Sequence, residues 1–88
     1  MIDLKILGYQ SAQRYAVRQT VVAAERVFKN EHPDLKIVIT ELKDWVKIEQ
    51  YTPVLSAPSL VVNEKLVCVG RFPSRDEVLG WLRRSVID

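Results

Sequence analysis

One cysteine, Cys68, stands in a chain of 88 residues. An intramolecular disulfide is therefore impossible, and a cysteine metal cluster is excluded. Such thiol usage fits a reducing compartment. His32 is the only histidine. No metal site and no cofactor are expected. The start, "MIDLKILGY", lacks the basic residues, long apolar segment and small-residue cleavage site of a signal peptide. No apolar run approaches the ~20 residues that cross a bilayer. A cytoplasmic location and no membrane partner are expected. The net charge is only +2, with Lys and Arg interleaved among Asp and Glu. That balance gives no electrostatic case for a nucleic-acid partner. Repeats, low-complexity tracts and linkers are also missing.

What is present is ordinary globular composition, 48% hydrophobic and 27% charged. The length suits one domain over residues 1–88. At this size only about 60% of the unfolded chain's surface is buried on folding, so the core must be well patterned.

Residues 2–7, "IDLKIL", alternate apolar and polar, the period of a strand. Gly8 ends it. Ser11 then reads as a helix N-cap, followed by Val17, Val21, Ala24 and Phe28 as one apolar stripe. Pro33, in "KNEHPD", forbids continuation. The β-branched run "LKIVITEL" (35–42) reads as a second strand. "LKDWVKIEQY" carries Leu42, Trp45, Val46 and Glu49 at helical spacing and reads as a short helix, stopping before Thr52-Pro53.

"PSLVVNEKLVCVGRF" is two apolar runs around Asn63-Glu64, a hairpin signal. Glu64 sits where glycine is easier if the turn needs positive φ. The final segment opens with a capping box, Ser74 with Glu77, and Val78, Leu82 and Val86 form its apolar stripe. The order is β-α-β-α-β-β-α. The first unit predicts parallel strands joined by a right-handed crossover. The expected fold is α/β: one four-stranded mixed sheet with three helices on its two faces.

This order, with Ala57-Pro58 just before the third strand, resembles the thioredoxin superfamily. The likeness is to its short, glutaredoxin-sized members. In those, a strand ending in "LG" precedes a Cys-x-x-Cys at the first helix. A later "S-T-P-x-L-V-I-N-G-K-x-V-x-x-G" supplies a cis-proline and a hairpin. Here that element stands as "SAPSLVVNEKLVCVG", residues 56–70. The resemblance covers nearly the whole chain and implies a cis-proline at Pro58. It also places Ser11 and Arg14 where the family has its two cysteines. Dithiol chemistry needs one thiolate to attack and a second thiol to resolve the mixed disulfide. Neither is present. No catalytic residue is assigned, and the expectation is a redox-inactive relative.

Four residues are candidates for ligand binding at the old active-site corner: Ser11, Arg14, Ala57 and Pro58. Ser11 reads first as a helix cap and alternatively as a hydrogen-bond donor to a ligand at the helix start. Arg14 reads as a solvent-facing first-turn residue and alternatively as a receptor for an anion. A cation there opposes the helix dipole, which hints at a purpose. Ala57-Pro58 either shapes the start of the strand or offers backbone to an extended peptide. Tyr9 and Tyr15 flank the corner; Trp45, Trp81 and Tyr51 read as packing. Cys68, in "LVCVG", reads as a small buried hydrophobe.

The leading expectation is a domain that binds a protein, peptide or small anionic ligand at the Ser11/Pro58 corner. Residual single-thiol chemistry through Cys68 is an alternative, which an accessible thiol would favour. A structural or oligomerisation module is a third, which a large apolar patch would favour.

Overall fold

The computed structural model describes residues 1–53 and 57–87, with the backbone alone at residue 87. Along the chain come β1 (Ile2–Leu7), α1 (Ser11–Glu31), β2 (Ile37–Leu42) and α2 (Trp45–Ile48). They are followed by β3 (Ser59–Val62), β4 (Lys65–Val69) and α3 (Arg75–Ile87). The strands form one mixed sheet in the order β2-β1-β3-β4. β1 and β2 are parallel, from Ile2 against Ile37 to Leu7 against Leu42. β3 is antiparallel to both β1 and β4.

Alternation in β1 sends Ile2, Leu4 and Ile6 into the main core, where all three are buried. There they meet Val17, Val21, Ala24 and Phe28 of α1 and Val78, Leu79 and Leu82 of α3. Each large apolar side chain so buried contributes about 1.5–3 kcal/mol. Leu7 falls in a second cluster with Val61 and Ile48, under Tyr51 and Leu42. Helices therefore cover both faces, but α2 covers its face with a single turn.

Several expectations need correction. The helix α1 starts one residue earlier in its cap than read from the sequence. Gln10, with extended backbone (φ −91°, ψ 130°), is the N-cap and makes no side-chain cap bond. A cap residue must hold non-helical backbone. Ser11 is already helical, so it is not the cap. The stripe assigned to the second helix is also different. Leu42 belongs to β2, Trp45 and Val46 are exposed, and Ile48 is the buried member. Asp44 caps this turn, its side chain accepting the Val46 N–H at 2.9 Å. Only four residues are helical, so only one side chain reaches the sheet.

In α3 the buried set is Val78, Leu79 and Leu82, while Val86 is exposed. Glu31, the last residue of α1, accepts a bond from Arg83 at 3.0 Å. Val86 lies beyond the point where α1 stops. The capping box forms as read: the Ser74 N–H donates to Glu77 (3.0 Å) and the Glu77 N–H to Ser74 Oγ (3.1 Å).

The hairpin turn holds Asn63 and Glu64 at φ 48° and 68°. This is the primed turn that a two-residue hairpin favours. A non-glycine residue there is held by side-chain bonds. Asn63 Oδ1 accepts the Asp3 N–H at 2.9 Å, and the Asn63 N–H donates to the Asp3 carbonyl at 2.7 Å. The Glu64 carboxylate accepts from Lys5 and from the Tyr51 hydroxyl.

Candidate functional site

Register places three chain segments at one end of the sheet. Leu7 pairs with Ser59, and Ser59 with Val69. Gly8, Pro58 and Gly70 therefore emerge side by side. The Gly70 N–H donates to the Pro58 carbonyl at 3.0 Å. The Ala57-Pro58 peptide bond is cis. Pro58 is buried and Ala57 half-buried. Ser56, which opens the motif read from the sequence, lies outside the described residues.

The turn from β1 into α1 is short. The Gly8 N–H donates to the Leu42 carbonyl at 3.1 Å, extending the β1–β2 ladder by one residue. Two residues later the Gln10 carbonyl accepts the Arg14 N–H. Ser11 is exposed at the helix start. A cleft of about 480 Å³ lies there, lined by Ser11, Ala12, Arg14, Tyr15, Arg18 and Glu41. Ser11 and Arg14 thus share a concavity. Ala57 and Pro58 are not part of its lining.

Arg14 is not the solvent-facing residue read from the sequence. Its side chain is only 14% exposed. The guanidinium donates to the Gly8 carbonyl at 2.8 Å and to Glu41 at 3.2 Å. Arg18, one turn on, donates to the other Glu41 oxygen at 2.6 Å. These bonds to β2 and to the turn outweigh the weak repulsion from the helix dipole, which falls off within a turn. Two guanidiniums share one carboxylate, so the cleft wall keeps one net positive charge. Beside it, Gln13 Oε1 is buried and has no hydrogen-bond partner among the described residues.

Sequence reasoning missed the aromatic pair above this corner. Tyr9 and Trp45 stack with ring centroids 6.0 Å apart and planes at 28°. They remain 52% and 57% exposed. Trp45 reads as packing only when it is placed on the inner face of a longer helix. The Asp44 cap is the signal that moves it outward: the helix begins at Trp45, at the end of β2, next to the β1–α1 turn. Tyr15, Val46 and Phe72 are further exposed apolar side chains. Phe72 leaves the same end of the sheet just after Gly70.

Cys68 is 3% exposed and sits opposite Leu60. Its thiol donates to the Arg71 carbonyl at 3.5 Å. Burial pushes its pKa up, against a smaller lowering by Arg71. The sole histidine, His32, lies at the far end of α1, against the Phe28 ring at 4.9 Å. No group of three His, Cys, Asp or Glu among the described residues is placed to hold a metal ion. Among them, too, no helix is long and apolar enough to cross a membrane.

No curated protein matches the chain. A family model described as a thioredoxin domain matches residues 3–83, from β1 into α3. With the strand order, the Ala57-Pro58 corner and this match over nearly its whole length, the chain belongs to the thioredoxin family.

Proposed function

We propose that this thioredoxin-like domain is redox-inactive and docks a protein or peptide segment at the corner between Tyr9–Ser11 and Ala57-Pro58. The observation that carries the reading is the stacked Tyr9–Trp45 pair, more than half exposed beside a helix start that has no thiol. Large aromatic side chains are costly to leave in water and are the usual anchors of protein interfaces. In this reading the ring pair seats an apolar side chain of the partner. The Ala57 backbone pairs with an extended segment, and Pro58 holds that backbone in place. Ser11 donates a hydrogen bond, and the Arg14–Arg18–Glu41 wall favours an acidic residue.

A small anion in the Ser11–Arg14 cleft is the second reading. It draws support from the single net positive charge there. It is weaker because Glu41 already occupies both guanidiniums. The buried thiol with its raised pKa counts against single-thiol chemistry at Cys68, since the thiolate is the nucleophile.

Two measurements test the proposal. In the insulin turbidity assay with dithiothreitol, the protein should leave the rate unchanged; acceleration would overturn redox inactivity. Random peptides displayed on phage and selected on the protein should yield binders that lose about tenfold in affinity to Trp45→Ala. Peptides indifferent to both Tyr9→Ala and Trp45→Ala would remove the corner as the docking site.

A further inference from the structure

The far end of the sheet carries a second concavity, remote from the corner and independent of the reading above. The β3–β4 hairpin and the last turns of α3 enclose a cleft of about 500 Å³. That is the size of a small-molecule site. Its apolar walls are Val62, Val67 and Trp81. All three pack against the main core, so the walls are preformed. Lys65 and Arg84 also line it, one from the hairpin and one from α3.

The electrostatics are one-sided. No lining residue is acidic. Lys65 and Arg84 have no salt bridge among the described residues, as is also true of Arg26, Lys29, Lys36, Lys43 and Lys47; what sets the pair apart is that both line one cleft. The two carboxylates nearest the hairpin turn, Asp3 and Glu64, are both bound to Lys5. Asn63 fixes the turn with its Oδ1 accepting the Asp3 N–H, which leaves its amide N–H groups as donors for the cleft. Ser85, the remaining polar residue, spends its proton on the Trp81 carbonyl at 2.9 Å. A cleft with two cations that are unpaired among the described residues, amide donors and an indole wall is complementary to an acceptor-rich anion with a flat apolar body.

We infer that this cleft binds a small aromatic anion, its carboxylate or phosphate held between Lys65 and Arg84 and its ring against Trp81, Val62 and Val67. A charged group alone would be held only by exposed cations, which is weak. A neutral ring would bring neither cation a counter-charge. The combination is what the lining selects.

The probes are 2-naphthoate and 1-naphthyl phosphate, with 2-naphthamide as the neutral control. Amide chemical shifts are followed by NMR during titration. Trp81 fluorescence is followed in a Trp45→Phe background, where Trp81 is the only tryptophan. Both anions, or one of them, should saturate shifts at Asn63, Lys65, Val67, the Trp81 indole and Arg84. Which anion binds tighter separates a carboxylate from a phosphate ligand. The neutral amide should bind about tenfold more weakly, and Lys65→Gln with Arg84→Gln should cost the anions a similar factor. Both cations are exposed, and circular dichroism checks that the double variant folds. Tyr9→Ala should leave the titration unchanged. Equal binding of the amide, an unchanged affinity in the double variant, or shifts centred on Tyr9 and Trp45 would each overturn the inference.

Discussion

Arg14 and Glu41 are joined across the gap between α1 and β2, Nε to carboxylate oxygen at 3.2 Å. The same guanidinium reaches back to the Gly8 carbonyl at 2.8 Å. Arg14 therefore ties three segments together: the turn out of β1, the first turn of α1 and the edge strand β2. Its removal leaves the Gly8 carbonyl without that donor and frees half of the Glu41 carboxylate. Arg14→Ala should cost about 1–2 kcal/mol, the range for charge-assisted bonds that stay partly solvated. Ser11→Ala should change stability by less than about 0.5 kcal/mol, because Ser11 is exposed and is not the cap. Urea melts of the two variants give the ordering. A larger loss for Ser11→Ala would restore the capping role that its position suggests.

That reversal shows what a sequence conveys here and what it does not. Period-two alternation in 2–7 and the stripe Val17, Val21, Ala24, Phe28 place β1 and α1 because burial enforces both periods. The capping box at Ser74 and Glu77 is local chemistry and is legible for the same reason. Ser11 failed because Gln10, a weak capper, takes the extended backbone at the end of a two-residue turn, and turn length is set by the β1–β2 ladder. Arg14 failed because its partners are distant in sequence: Glu41 is brought opposite Ile6 only by strand register. Trp45 failed because the helix read around it is longer than the one that forms. The corner was locatable from Gly8 and Ala57-Pro58, but its aromatic rim is a tertiary feature.

Two glycines should respond with opposite signs. Gly80 lies in the middle of α3, exposed, and a methyl group there would meet nothing within 4 Å. Gly80→Ala should raise stability by about 0.5–1 kcal/mol through helix propensity. Gly70 holds φ 69° after β4. Gly70→Ala should cost about 1–2 kcal/mol, because the left-handed region penalises a β-carbon. Thermal melts of both variants suffice. Destabilisation by Gly80→Ala would mean that α3 relies on a contact at that face.

Acid should weaken the fold through its glutamates. Glu77 accepts two bonds from Arg71 and one from the Ser74 N–H. The Arg71 bonds first, then the Ser74 N–H, lower its pKa from 4.5 to about 2. Glu31, beside Arg83, and Glu64, beside Lys5 and Tyr51, are lowered too. A depressed carboxylate binds its proton more readily in the unfolded chain. Its contribution is present above pH 4.5 and is lost as pH falls towards 2. The urea midpoint should therefore fall over that window. Glu77→Gln should lower stability at neutral pH and flatten the slope between pH 4.5 and 2. Parallel pH profiles for the parent and this variant would show that Glu77 is not coupled to folding.

Cys68 provides the sharpest check on redox inactivity. Its side chain is 3% exposed, packed in the main core beside Leu60, and burial raises its pKa. The reagent that labels thiols, 5,5′-dithiobis(2-nitrobenzoate), needs both access and a thiolate. Access requires β4 to open. If that opening costs about 3 kcal/mol, labelling slows by roughly a hundredfold against the unfolded chain. Labelling at pH 8 should thus be slow in buffer, and should accelerate with urea below the unfolding transition. Cys68→Ala should leave a small cavity and cost about 1–2 kcal/mol. Cys68→Ser should cost more, because a hydroxyl in this apolar setting must find a partner, and the Arg71 carbonyl at 3.5 Å from the sulfur is too distant for a good oxygen–oxygen bond. Labelling of the native protein at the rate of an unfolded cysteine would mean that the thiol is presented to solvent, which would favour the alternative of single-thiol chemistry through Cys68.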